Sequence, residues 1–109
     1  MTTLLSHALP DLANILAMAL RDKSLVEQAV ALETAKIERW TYDSSADAGY
    51  IYLVQQQPVR SGETPAAKTV SLVGDEWFNV DLRASGEIFG IELLSHEGIF
   101  RQLGSYELG

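Results

Sequence analysis

Sixteen residues near the C-terminal end constrain this chain more than any other stretch. They run Asn79-Val80-Asp81-Leu82-Arg83-Ala84-Ser85-Gly86-Glu87-Ile88-Phe89-Gly90-Ile91-Glu92-Leu93-Leu94. Two apolar runs with strand character flank a short polar turn ending in Gly86, which is the pattern of a β-hairpin. Two registers fit it. If Ala84 to Glu87 form a four-residue loop, Arg83 faces Ile88, Val80 faces Ile91 and Phe78 faces Leu93. One face is then apolar, and Asp81 and Glu92 share the other. If Gly86 is a left-handed bulge residue after a type I turn, Arg83 pairs with Glu87 and every partner moves by one position, so that Val80 faces Gly90. The first register buries apolar surface better and is the one expected, although Gly86 itself suits the second.

Upstream, the period of two holds in three more runs. Ile37 to Tyr42 reads as a first strand and Gly49 to Gln55 as a second. Asp43-Ser44-Ser45-Ala46-Asp47 forms the turn between them, since Asp and Ser hydrogen-bond the local backbone. Ala67 to Val73 reads as a third strand, followed by a tight turn at Gly74-Asp75-Glu76. Gln55 to Pro65, with two prolines and a glycine, reads as an exposed, mobile loop.

The first third changes period to helical. Leu12, Ile15, Leu16, Ala19 and Leu20 make one apolar stripe, and Pro10 and Asp11 suit its start. Ser24-Leu25-Val26-Glu27 has capping-box spacing, which predicts a second helical segment from about Leu25 to Thr34. One long bent helix is the other reading. Ile99, Phe100 and Leu103 are spaced for a short docking helix in the tail. The fold expected is α+β in a single domain over residues 1–109. A helical segment (1–35) packs on one face of a mostly antiparallel sheet of about five strands (36–94), ahead of the tail (95–109).

The chain has 109 residues, 47% hydrophobic and 21% charged, and a formal net charge of −7 with a pI of about 4.6. Eight basic residues against fifteen acidic ones argue against replacing the counterions of a nucleic acid or docking on an anionic membrane, and favour a basic protein partner. The absence of cysteine removes disulfides and thiolate chemistry and fits a reducing cytoplasm. The longest apolar stretch, Leu12 to Leu20, falls well short of the roughly 20 residues a membrane span needs. The first five residues lack the basic region of a secretory signal.

Taken together, Tyr42, Asp43, Asp47, Tyr50, Ile51, Asp81, Gly86, Gly90, Ile91, Glu92 and Leu93 resemble the pattern of a family of short bacterial domains, domain of unknown function 2283. The resemblance covers roughly residues 37–94 and omits the helical N-terminal third. It implies no established activity. Members thought to lie beside small toxin-like proteins imply an antitoxin role. The family's turn is usually richer in acids than Arg83-Ala84-Ser85, so the resemblance does not extend to a cation-binding turn here.

Asp43, Asp47, Asp81 and Glu92 are the candidate carboxylates for a functional or structural polar cluster. Paired carboxylates serve acid–base chemistry or hold hard cations. The plainer reading is that Asp43 and Asp47 cap their turn, while Asp81 and Glu92 orient strands or pair with Arg39 or Arg83. No catalytic, metal or cofactor-binding residue is expected. His7 and His96 are isolated, with His96 expected at the surface after the last strand. Gly86 reads as turn chemistry and Gly90 as a place where a large cross-strand neighbour comes close. Trp40, Tyr42, Tyr50, Tyr52 and Trp77 lack the interleaved basic residues of a nucleic-acid platform and read as core and interface. The second strand is apolar on both faces, so a cover is expected on each: the helices on one, a second subunit on the other. The leading expectation is therefore a homodimeric, non-catalytic interaction domain of a bacterial cytoplasmic protein. The alternatives are an acidic inhibitor of a basic ribonuclease-like toxin, and a small enzyme using Asp81 and Glu92.

Overall fold

The computed structural model describes residues 3–73 and 77–108. A two-residue strand β1 (Thr3–Leu4) leads into a single helical turn α1 (Leu5–Ala8) and then α2 (Pro10–Asp22) and α3 (Val26–Ala31). Five strands follow: β2 (Lys36–Asp43), β3 (Ala48–Leu53), β4 (Lys68–Val73), β5 (Trp77–Leu82) and β6 (Ile88–Leu94), and the chain closes with α4 (Glu97–Leu108). The fold is α+β, with six strands where about five were expected, because β1 adds a short antiparallel pairing to Lys36 and Ile37.

The sheet order is β1-β2-β3-β6-β5-β4, antiparallel at every junction. Two hairpins, β2–β3 and β5–β6, thus meet along β3 and β6. Alternation puts Ile51 and Leu53 of β3, Phe78, Val80 and Leu82 of β5, and Ile91 and Leu93 of β6 on the inner face, all buried. Leu5, Leu12, Leu16, Leu20 and Ala29 from the N-terminal helices and Phe100 and Leu103 from α4 join them in one core. The tail is therefore the docking helix its spacing suggests. Phe100 lies between the β2 aromatics, its ring centroid 5.1 Å from Tyr42 and 5.9 Å from Trp40. A side chain at Gly49 would run into that ring, so the glycine makes room for it.

The stretch from Pro10 to Ala31 is two helices rather than one, and the reason is Ser24. Its φ of 64° is left-handed. Leu25 N–H donates to the Leu20 carbonyl and Ser24 N–H to that of Arg21, the pair of bonds that closes a helix C-terminus. This corrects the capping-box reading: Ser24 ends α2, and no side chain caps α3. Ile15 is also corrected, since it stands 42% exposed outside the buried stripe.

A bulge at Glu38, opposite no β3 residue, returns Trp40 and Tyr42 to the inner side with Ile37. A second bulge at Phe89 resolves the hairpin register. Near the turn, Arg83 N–H donates to the Glu87 carbonyl and Gly86 N–H to Arg83, with Gly86 at φ 91°. That is the arrangement with a left-handed glycine. Beyond Phe89, Val80 faces Ile91 and Phe78 faces Leu93, the pairing of the four-residue loop. Each register holds on its own side of the bulge, because the extra residue shifts pairing by one. The expected turn at residues 74–76 and the side chain of Trp77 lie outside the described residues.

Candidate functional site on the open sheet face

The helices all pack on the inner face, and no described element covers the outer one. The outer face carries Arg39 from β2, Tyr50 and Tyr52 from β3, Phe89, Gly90 and Glu92 from β6, Asn79 and Asp81 from β5 and Thr69 from β4. Tyr50 sits opposite Glu92 across the β3–β6 junction, but its ring leans over Gly90. A Cβ at Gly90 would overlap that ring, which is the close approach the glycine suggested. The lean lets the Tyr50 hydroxyl pass over β6 and donate to Asp81 Oδ2 on β5 at 2.5 Å. Thr69 Oγ1 donates to the other carboxylate oxygen at 2.6 Å. One carboxylate thus ties β3, β4 and β5 together across β6. Burial, then the bond to Asp81, push the Tyr50 hydroxyl well above its ordinary pKa.

Glu92 accepts from Asn79 Nδ2 at 2.8 Å, a directly cross-strand pair. Neither Asp81 nor Glu92 pairs with an arginine, which corrects that expectation. Arg39 instead lays its guanidinium 3.7 Å above the Tyr52 ring centroid, a cation–π contact. Tyr52 also packs 4.6 Å from Tyr50 and edge-on to Phe89 at 5.9 Å, so the bulge at Phe89 completes an aromatic cluster that strict alternation would have broken.

Arg83 holds the long loop. It is only 6% exposed, the one buried charged residue among those described. Its guanidinium donates to Glu63 (2.8 Å), to Glu87 (2.7 Å) and to the Gln57 carbonyl (2.6 Å). The hydrogen bonds from Arg83 hold the Glu63 carboxyl below the usual range. Residues 55–65 are mostly exposed, as expected, but this clamp ties both halves of the loop to the β5–β6 turn, which composition alone did not suggest.

Asp43 accepts from the Ser45 N–H and hydroxyl and caps its turn as expected, its pKa lowered by those bonds. Asp47 instead accepts the Tyr42 hydroxyl at 2.7 Å, while its own left-handed backbone (φ 48°) closes the turn. That bond first, and burial second, push Tyr42 up to about 12. The turn pair and the sheet pair are thus separate clusters and not one four-carboxylate site. His7 is exposed, but His96 is half-buried and stacks on Phe78 at 4.9 Å, which corrects its expected surface position.

Two open clefts, of about 670 and 590 Å³, flank the helices, and neither is lined by Asp81 or Glu92. Among the described residues, no three His, Cys, Asp or Glu side chains converge on a point where an ion would sit. No described helix is long and apolar enough to cross a membrane. No curated protein and no solved structure matches the chain. The model of the family described as Protein of unknown function (DUF2283) matches residues 39–95, which hold β3, β6 and the whole aromatic and carboxylate cluster, and the chain belongs to that family.

Proposed function

We propose that this chain is a non-catalytic protein-interaction domain of a bacterial cytoplasmic protein, and that its recognition surface is the outer sheet face. The observation that carries the reading is the cluster of Tyr50, Tyr52 and Phe89 on a face without a covering layer. Aromatic residues dominate the energetics of protein interfaces, because they bury much area at small entropic cost. Asp81 and Glu92 border that cluster, and the net charge is −7, so the partner that fits is basic. The contact of Arg39 with Tyr52 illustrates the chemistry: this surface already receives a guanidinium from within its own chain.

An antitoxin that masks a basic toxin is a special case of the same reading and rests on the same charge. The enzymatic alternative has less support. Asp81 is engaged by two hydroxyl donors and Glu92 by an amide, and both carboxylates stand outside the clefts.

A native pull-down from a source lysate tests the reading, run in parallel with wild type and with Tyr52→Ala. The expected result is a basic protein retained by wild type, released by salt and lost from the variant. Capture that ignores Tyr52→Ala would overturn the assigned surface. A hydrolytic activity abolished by Asp81→Asn with Glu92→Gln would put the enzyme first.

A further inference from the structure

The two ends of the sheet are built differently. At one end, β1 covers β2 only at Lys36 and Ile37. The remainder of β2 carries the bulge at Glu38 and the charged residues Glu38, Arg39 and Asp43. Bulges and charges are the devices that keep an exposed strand from pairing with another chain. At the other end, β4 pairs with β5 alone among the described strands. Its six residues run in unbroken register from Lys68 opposite Leu82 to Val73 opposite Trp77. It has no proline and no bulge, and its one charge, Lys68, stands at the first position. The backbone groups on its outer side are a row of donors and acceptors that another strand can use.

We propose that β4 is the surface through which two copies of this chain pair, antiparallel and edge to edge. A second copy fits because the pairing is self-complementary. Antiparallel identical strands are related by a twofold axis normal to the sheet, which sets one central residue, Val70 or Ser71, opposite itself. Thr69, Val70, Ser71 and Leu72 are all uncharged, so they meet without like-charge repulsion.

The axis keeps faces together. Each copy's six strands continue the other's sheet, with the helices on one side and the open faces on the other. The helix that packs on β4 is α2, which carries Met18 at 59% and Ile15 at 42% exposure. The twofold axis puts both copies of α2 on the same side of the joined sheet. The dimer expected from β3 is thereby assigned to an edge, and the outer face stays free for its partner. The proposal stands on the edge alone and does not need the basic partner.

Light scattering at roughly 100 µM, where even small interfaces associate, should give a dimer mass for wild type. Ser71→Lys, at an exposed edge position, should weaken the dimer about tenfold by placing like charges near the axis. Thr41→Lys, on the opposite edge, should leave it unchanged. The chain has no cysteine, so single cysteines report proximity directly. Ser71→Cys should give covalent dimers with a short bis-maleimide, and Thr41→Cys should not. A monomeric wild type overturns the proposal, as does a dimer equally sensitive at both edges or a cross-link at position 41 alone. If Ser71→Lys does not fold, the cross-linking pair still decides.

Discussion

The inner and outer faces of the sheet use alternate residues of the same strands, yet different forces hold them. On the inner face Ile51, Ile91 and Leu93 are fully buried and make no directed bond. Their contribution follows area, about 25 cal/mol per Å² of apolar surface removed from water. On the outer face the side chains are half-exposed, and what orders them is aim: Tyr50 to Asp81, Thr69 to Asp81, Asn79 to Glu92 and Arg39 to Tyr52. The difference teaches that one strand can be a packing element and a recognition element at once, provided its two sets of residues do not share a task.

The largest effect should come from the inner face. Ile91→Ala, at a fully buried position of the central junction, should cost about 3–4 kcal/mol in denaturant melts, the usual range for a truncated buried aliphatic. A loss below about 1 kcal/mol would mean that the core collapses around the gap and that area is not what holds this face.

Gly90→Val tests the aim of the outer face. The new side chain displaces the Tyr50 ring and breaks its bond to Asp81, which should cost about 2–3 kcal/mol. In the double variant with Tyr50→Ala most of that cost should vanish, and additivity of the two would show that ring and glycine are not coupled.

Asp81→Asn with Glu92→Gln keeps shape and removes charge. Stability should change by no more than roughly 1–2 kcal/mol, while binding of a basic partner should weaken. Unchanged retention of that partner would confine the two carboxylates to holding strands.

The smallest effect near neutrality is one of pH, and it belongs to the directed bonds only. Tyr42 ionises at about 12 when folded against 10.0 in a free chain, and Tyr50 is shifted in the same direction. The folded state therefore keeps protons that the unfolded chain has released, so stability is complete below pH 10 and declines as pH rises from 10 to 12. Melting points across that window should fall, and Tyr50→Phe should flatten the fall. An equal slope in that variant would remove Tyr50 from the account.

Much of this architecture was legible because strand periodicity is local. The five main strands, the helical first third and the docking tail could each be read within a window of neighbours. Ser24 misled because the same residue type suits a helix start and a left-handed stop, and the chain on both sides decides between them. Tyr50 reaching Asp81 was out of view because β3 pairs with β6, some forty residues away. Arg83 was out of view for a similar reason: its partners Glu63 and Gln57 sit in a loop whose composition says only that it is exposed. The bulge at Phe89 explains why neither hairpin register sufficed alone.

Gly90 bears on how the chain finds this arrangement. The junction of β3 with β6 joins two hairpins far apart in sequence, and long-range pairing of this kind is slow to form. A slip of two residues keeps every side chain on its proper face, so burial discriminates weakly against it. It would, however, carry the Tyr50 ring off the one outward position of β6 that has no side chain. Only the native alignment sets the Tyr50 ring over that opening with its hydroxyl in reach of Asp81, so Gly90 favours one register over its neighbours.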